Sequence, residues 1–144
     1  MLRKFHPRHV LIDVAEHQFN FRHQLPEILA DEIWQMVLDW NIFAKDTVGK
    51  QLVRAADSVG ANICEGAGRG SFQDNRRFAR TARASLYETQ FFLRRAFQRK
   101  LLRPEQIKRL KPVIEELGPK LNAYLKSIGR TRSATDNGQR TTDD

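Results

Sequence analysis

The sequence predicts an all-α protein, an antiparallel four-helix bundle running up-down-up-down. Three observations carry this. Apolar residues recur at intervals of three and four in four separate segments. Short links rich in Gly, Pro, Asn and Ser join the segments, and little of the chain shows the alternation of a strand. The length of 144 residues fits one domain, and a hydrophobic fraction of 40% is enough for one core. Residues 26–129 are predicted to form the bundle, residues 1–25 an N-terminal arm and residues 130–144 a disordered tail.

In the arm, Val10, Leu11, Ile12 and Val14 suit either a short strand or a short helix. The four histidines all fall here, at 6, 9, 17 and 23. Their spacings are not the i,i+4 pair that a helical zinc motif needs, so no metal and no cofactor are expected.

The first helix is predicted to open at Pro26, since proline and the acidic Glu27 suit a first turn. Its stripe is Ile28, Leu29, Ile33, Met36, Val37 and Trp40, fading between Asn41 and Lys45. A second helix is expected from about Asp46 to Cys64, capped by Asp46 or Thr47. Val48, Leu52, Ala55, Ala56, Val59, Gly60 and Ile63 make one of its faces very small, which suits close packing on another helix. The run Glu65-Gly66-Ala67-Gly68-Arg69-Gly70 is expected to end it.

Ser71 with Asp74 three residues on marks an N-cap, and a long third helix then continues to about Lys100 without Gly or Pro. Phe91, Phe92 and Phe97 exceed what one stripe requires, which fits burial in an oligomer. The fourth helix begins near Pro104-Glu105 and is expected to end at Gly129. Pro112 and Pro119 lie inside it, so it is either kinked or split near Gly118.

The net charge of +8 is localised. Residues 69–100 hold nine basic side chains against Asp74 and Glu88, while residues 1–44 are net acidic. Such a field attracts polyanions. Arg76, Arg80 and Arg83, spaced four and three, share one helix face and form a ridge able to track phosphates without reading bases. Arg69, Arg94 and Arg95 extend the candidate nucleic-acid surface, with Arg77 and Arg99 nearby. The same arginines equally suit a solvated face, salt bridges to a partner subunit, or an acidic partner protein. No aromatic platform interleaves them in a recognised pattern, so sequence-specific readout is not expected.

Arg54, Ser58, Asn62 and Glu65 share a face of the second helix, and Ser85 and Glu88 lie one turn apart on the third. These six are read as a structural polar network, in which Arg54 is positioned to pair with Glu65 or Glu88. Two carboxylates also raise acid–base chemistry, but no histidine, Ser-His pair or ligand set accompanies them, so no catalytic residue and no enzyme activity is predicted. The GxGxG run follows a helix rather than a strand and lacks the Lys-Ser/Thr of a phosphate loop. Its following helix N-terminus, beside Arg69, can hold a phosphate. The single cysteine, Cys64, excludes an intrachain disulfide framework and points to a reducing, cytoplasmic compartment. No apolar run suits a membrane span, and the basic start does not read as a signal peptide.

The block Gln51, Leu52, Arg54, Ala55, Ala56, Ser58, Val59, Ala61, Asn62, Ile63, Glu65, Gly66, Gly68 and Arg69, followed by Arg77, Phe78, Ala82, Ser85, Leu86 and Glu88, resembles the family of proteins encoded in intervening sequences of bacterial 23S ribosomal RNA genes. The resemblance covers roughly residues 28–128 and departs at Ala84, usually glycine, and Ala44, often proline. It implies a left-handed four-helix bundle and a homo-oligomer, often a pentamer, with no catalytic activity. A related branch, the accessory protein of diversity-generating retroelements, binds nucleic acid and a reverse transcriptase. RNA or DNA, and a partner protein such as a reverse transcriptase, are therefore expected partners.

Overall fold

The computed structural model describes residues 21–136, with side chains described for 24–128. Four helices make up these residues. α1 is Phe21–Leu38. α2 spans 42–67 in three consecutive stretches: Ile42–Ala44, a π-helical turn Lys45–Gly49, and Lys50–Ala67. α3 is Phe72–Gln98 and α4 is Pro104–Asp136. α2 packs against α1 and α3, and α4 packs against both from the other side, while the backbones of the diagonal pairs stay apart among the described residues. The result is an all-α four-helix bundle. The core runs along its axis, with Leu29, Ile33, Leu52, Val59, Ile63, Leu86, Leu117 and Leu121 sealed from solvent.

The tightest packing is between α2 and α3. α3 turns Ala79, Ala82, Ser85, Thr89 and Ala96 inward, and α2 answers with Ala55, Ala56, Val59 and Ile63. Small side chains on both helices let the backbones approach. Gly66 is where this is most demanding. A Cβ there would lie 2.8 Å from Phe78 Cβ and 2.9 Å from Asn75 Oδ1. Gly60 serves the α1 side, where a Cβ would lie 3.2 Å from Pro26 Cβ.

Several helix limits differ from those the sequence predicts. α1 already includes Phe21, the first described residue, so Pro26 sits inside the helix and not at its opening. Pro26 there forgoes one backbone hydrogen bond, and its ring is buried against Gly60. α2 starts at Ile42, not at Asp46. Its cap is Asn41, whose Oδ1 accepts from Ala44 N at 3.0 Å. Thr47 lies inside the helix and donates its hydroxyl to the Phe43 carbonyl at 2.7 Å. At the other end α2 runs to Ala67, three residues beyond Cys64, because Gly66 is used for contact and not for chain reversal. The break comes at Gly68, whose N–H donates to the Cys64 carbonyl at 3.1 Å.

α3 begins as its sequence predicts, with Ser71 Oγ accepting from Asp74 N at 3.1 Å. It ends at a turn where Lys100 adopts a positive φ of 58° and Leu101 N donates to Ala96 O at 3.0 Å. This is the left-handed cap that glycine usually supplies. α4 is a single helix, neither split at Gly118 nor ended at Gly129. Pro112 and Pro119 both face solvent, as do Lys108 and Glu115, whose carbonyls the two prolines leave unbonded. Water can satisfy them there. Arg109 Nε to Glu32 Oε2 and Arg103 Nη2 to Asp39 Oδ2, each 3.3 Å, tie α4 to α1. The histidines at 6, 9 and 17, the apolar run at 10–14 and residues 137–144 lie outside the described residues, so the expectations placed on them have no structural counterpart.

Candidate functional site

The third helix delivers Arg76, Arg80 and Arg83 along one face, as the spacing of four and three requires. The fourth helix runs beside them and contributes Asn122, Leu125 and Lys126. Together with Tyr87 these residues line an open groove of about 500 Å³. Arg83 Nη1 donates to Asn122 Oδ1 at 3.3 Å, which joins the two walls. Among the described residues, none of the four cations in this groove forms an ion pair. No carboxylate lines it. Arg76 Nε is buried and, among the described residues, has no hydrogen-bond partner. A concave surface with four uncompensated positive charges concentrates field and favours anions.

The remaining predicted arginines are not part of this groove. Arg69 is engaged by Glu65, with Nη2 to Oε1 at 2.6 Å and Nε to Oε1 at 3.0 Å, and its guanidinium lies 5.2 Å from the Phe78 ring centroid. Arg77 covers the same ring at 4.8 Å and reaches Asp74 at 3.4 Å. Arg95 lies 5.9 Å from the Phe91 ring. Arg94 lines a separate, largely apolar groove farther along the α3–α4 seam with Leu93, Leu102 and Ile107. The net +7 of residues 69–100 is thus divided among several environments.

Of the six residues read as a polar network, the structure joins three. Asn62 Nδ2 donates to the Ser58 carbonyl at 2.7 Å and to Ser58 Oγ at 2.9 Å, and Ser85 Oγ donates to Ser58 Oγ at 3.1 Å across the α2–α3 contact. Thr89, on the inward stripe of α3, is buried beside it and donates to the Ser85 backbone carbonyl at 2.8 Å. Arg54 and Glu88 stay outside. Both are exposed, and neither forms an ion pair among the described residues. The expected pairing of Arg54 with Glu65 or Glu88 is replaced by Glu65–Arg69, because those two stand one turn apart at the end of α2.

The groove residues do not include a nucleophile paired with a base. The Cys64 thiol is pushed above its ordinary value by partial burial and by the nearby Glu27 carboxylate, which suppresses the reactive thiolate. Among the described residues no group of His, Cys, Asp and Glu could hold a metal ion, and no helix is long and apolar enough to cross a membrane.

Tyr87, Asn122, Leu125 and Lys126 are the groove residues that sequence reasoning did not single out. Tyr87 had a readable signal, since it follows Arg83 by four residues on the same face. Asn122 and Lys126 share a face of α4 for the same reason, but spacing does not say which helix that face lies beside.

Comparison with known proteins agrees with the fold. Residues 23–123 match the family described as 23S rRNA-intervening sequence protein. The chain belongs to this family. A crystal structure of a protein of unknown function from the S23 ribosomal protein family of Bacteroides thetaiotaomicron superposes with a TM-score of 0.65. It is 20% identical, and the alignment covers 74% of this chain and 99% of that one. At that identity the likeness speaks for the fold alone. No curated protein matches the chain.

Proposed function

We infer that this member of the 23S rRNA-intervening sequence family is a non-catalytic, oligomeric bundle that binds RNA or DNA weakly and without sequence preference. The observation that carries the reading is the groove of Arg76, Arg80, Arg83 and Lys126, which brings four unpaired cations from two helices to one concave surface. Phosphates satisfy such a surface, and the affinity then comes from counterion release. Oligomerisation is supported by exposed apolar side chains: Ile42 and Phe43 at the start of α2 are 78% and 79% accessible, and Trp34 and Leu38 on α1 are exposed as well. A pentamer is carried over from the family resemblance. An antiparallel up-down-up-down course is supported by the order of the α1–α4 ion pairs, Glu32 with Arg109 and Asp39 with Arg103. The left-handed sense rests on the resemblance.

Fluorescence anisotropy with labelled RNA and DNA, titrated over a range of salt, tests the binding. Three or four phosphate contacts predict a slope of log K against log salt of about −2 to −4. Arg80→Glu combined with Arg83→Glu should weaken binding to every sequence alike. Absence of binding to any RNA or DNA at low salt would overturn the reading, and light scattering that returns a monomer would overturn the oligomer.

A further inference from the structure

The groove offers more than charge. Tyr87 stands one turn beyond Arg83 on the same face of α3 and ends the run of arginines. Its side chain is 56% accessible. Among the described residues its ring stacks on no other aromatic side chain and lies under no cation. One end of the groove therefore carries an exposed aromatic ring with no aromatic or cationic partner stacked on it among the described residues, and the rest is mainly cationic, with Asn122 and Leu125.

The dimensions discriminate between ligands. From Arg76 to Tyr87 the helix rises about 16 Å, at about 1.5 Å per residue. The opposite wall is the single turn of α4 that carries Asn122 and Lys126. A concavity of about 500 Å³ has the size of a small-ligand site. A double helix is far wider, so it can lay phosphates only on the rim, and its bases stay stacked inside. A single strand can enter, set successive phosphates on the cations and place an unstacked base on the tyrosine.

The geometry points to selection of single-stranded nucleic acid, with phosphates at Arg76, Arg80 and Lys126 and one base stacked on Tyr87. This rests on the phosphate-binding reading above and adds a strand preference that charge alone does not supply. Every base has a π-face, so stacking on Tyr87 brings no sequence specificity. Stacking of one base corresponds to about a five- to hundredfold gain in affinity.

The test compares labelled oligo-U RNA, oligo-dT DNA and a mixed-sequence duplex of equal length, about twelve nucleotides, by anisotropy at one low salt concentration. Wild type, Tyr87→Phe, Tyr87→Ala and Arg80→Glu are compared, each checked by circular dichroism and thermal melting. We expect the single strands to bind at least about fivefold more tightly than the duplex. Tyr87→Phe should keep that ratio, Tyr87→Ala should bring it towards one, and Arg80→Glu should lower all three affinities. The tighter of the two single-stranded arms names the natural sugar. Equal binding of single strand and duplex by the wild type overturns strand selection, a preference that survives Tyr87→Ala overturns its assignment to stacking on Tyr87, and either result leaves the phosphate reading standing. Failure of all three ligands to bind overturns the phosphate reading, and this inference with it.

Discussion

Gly66 and Phe78 meet so closely that a single added carbon on the glycine would stand 2.8 Å from the Cβ of the phenylalanine. The same carbon would stand 2.9 Å from Asn75 Oδ1, which accepts a hydrogen bond from the Tyr124 hydroxyl at 3.1 Å. The contact therefore links three helices. Gly66→Ala must push α2 from α3 or displace Asn75 from Tyr124. The higher helix propensity of alanine works in the opposite direction, by roughly 1 kcal/mol. Overpacking of this kind costs about 1–3 kcal/mol, so net destabilisation is expected. A fall in the denaturant midpoint with unchanged slope would show it, and a rise would mean that the helices part easily.

The Asn62–Ser58–Ser85 chain makes a separate prediction. Ser85 is buried, and its hydroxyl bonds across the α2–α3 contact. Ser85→Ala removes one side-chain hydrogen bond while Asn62 still satisfies Ser58, so a loss of about 1 kcal/mol is expected. Thermal unfolding of Ser85→Ala and Ser58→Ala, alone and together, forms a double-mutant cycle. A coupling indistinguishable from zero would show that the two hydroxyls do not interact.

Asp57 has its carboxyl pKa raised, first by partial burial and second by the neighbouring Asp31 charge. A carboxyl with a raised folded-state pKa binds its proton more tightly in the native state. Its contribution to stability is fully present below the unfolded pKa and is lost as pH rises through the folded one. Asp57→Asn should therefore be more stable than wild type at neutral pH. The gain should shrink as pH falls through the range just above the ordinary carboxylate value. Urea melts of both proteins at several pH values check this, and a difference independent of pH would contradict it.

Lys100 holds a left-handed conformation at the end of α3. For a residue with a Cβ this costs roughly 1–2 kcal/mol. Lys100→Gly should remove that strain and raise the melting temperature by a few degrees, although glycine's greater freedom in the unfolded chain offsets part of the gain. An unchanged or lower melting temperature would show that the lysine side chain compensates for its backbone.

What could be read from the sequence was what depends on neighbours along the chain. The Ser71 cap and the Arg76–Arg80–Arg83 face need only local spacing, and both stand where spacing puts them. The misreadings occur where a partner helix overrides a local rule. Pro26 looks like a helix opener, yet it fits inside α1 against Gly60. Gly66 looks like a breaker, yet it is a contact surface. The second wall of the groove needed the register of α4 against α3, which no periodicity within either helix encodes. The same holds for Arg54, whose expected partners are Glu65 and Glu88, because Glu65 has a nearer cation in Arg69.

The π-helical turn at Lys45–Gly49 has a consequence for how this chain tolerates change in length. A π turn holds one residue more than an α turn, and here the extra residue is absorbed where Gly49 presses on Val37 and the Ala44 carbonyl. Everything after it, from Leu52 through Val59 to Ile63, keeps one uninterrupted register against the core. Removing a single residue from this turn would leave an ordinary α-helix with that register intact. The bundle thus carries, at the start of its most closely packed helix, a place where the chain can be shortened by one residue without disturbing the contacts that define the fold.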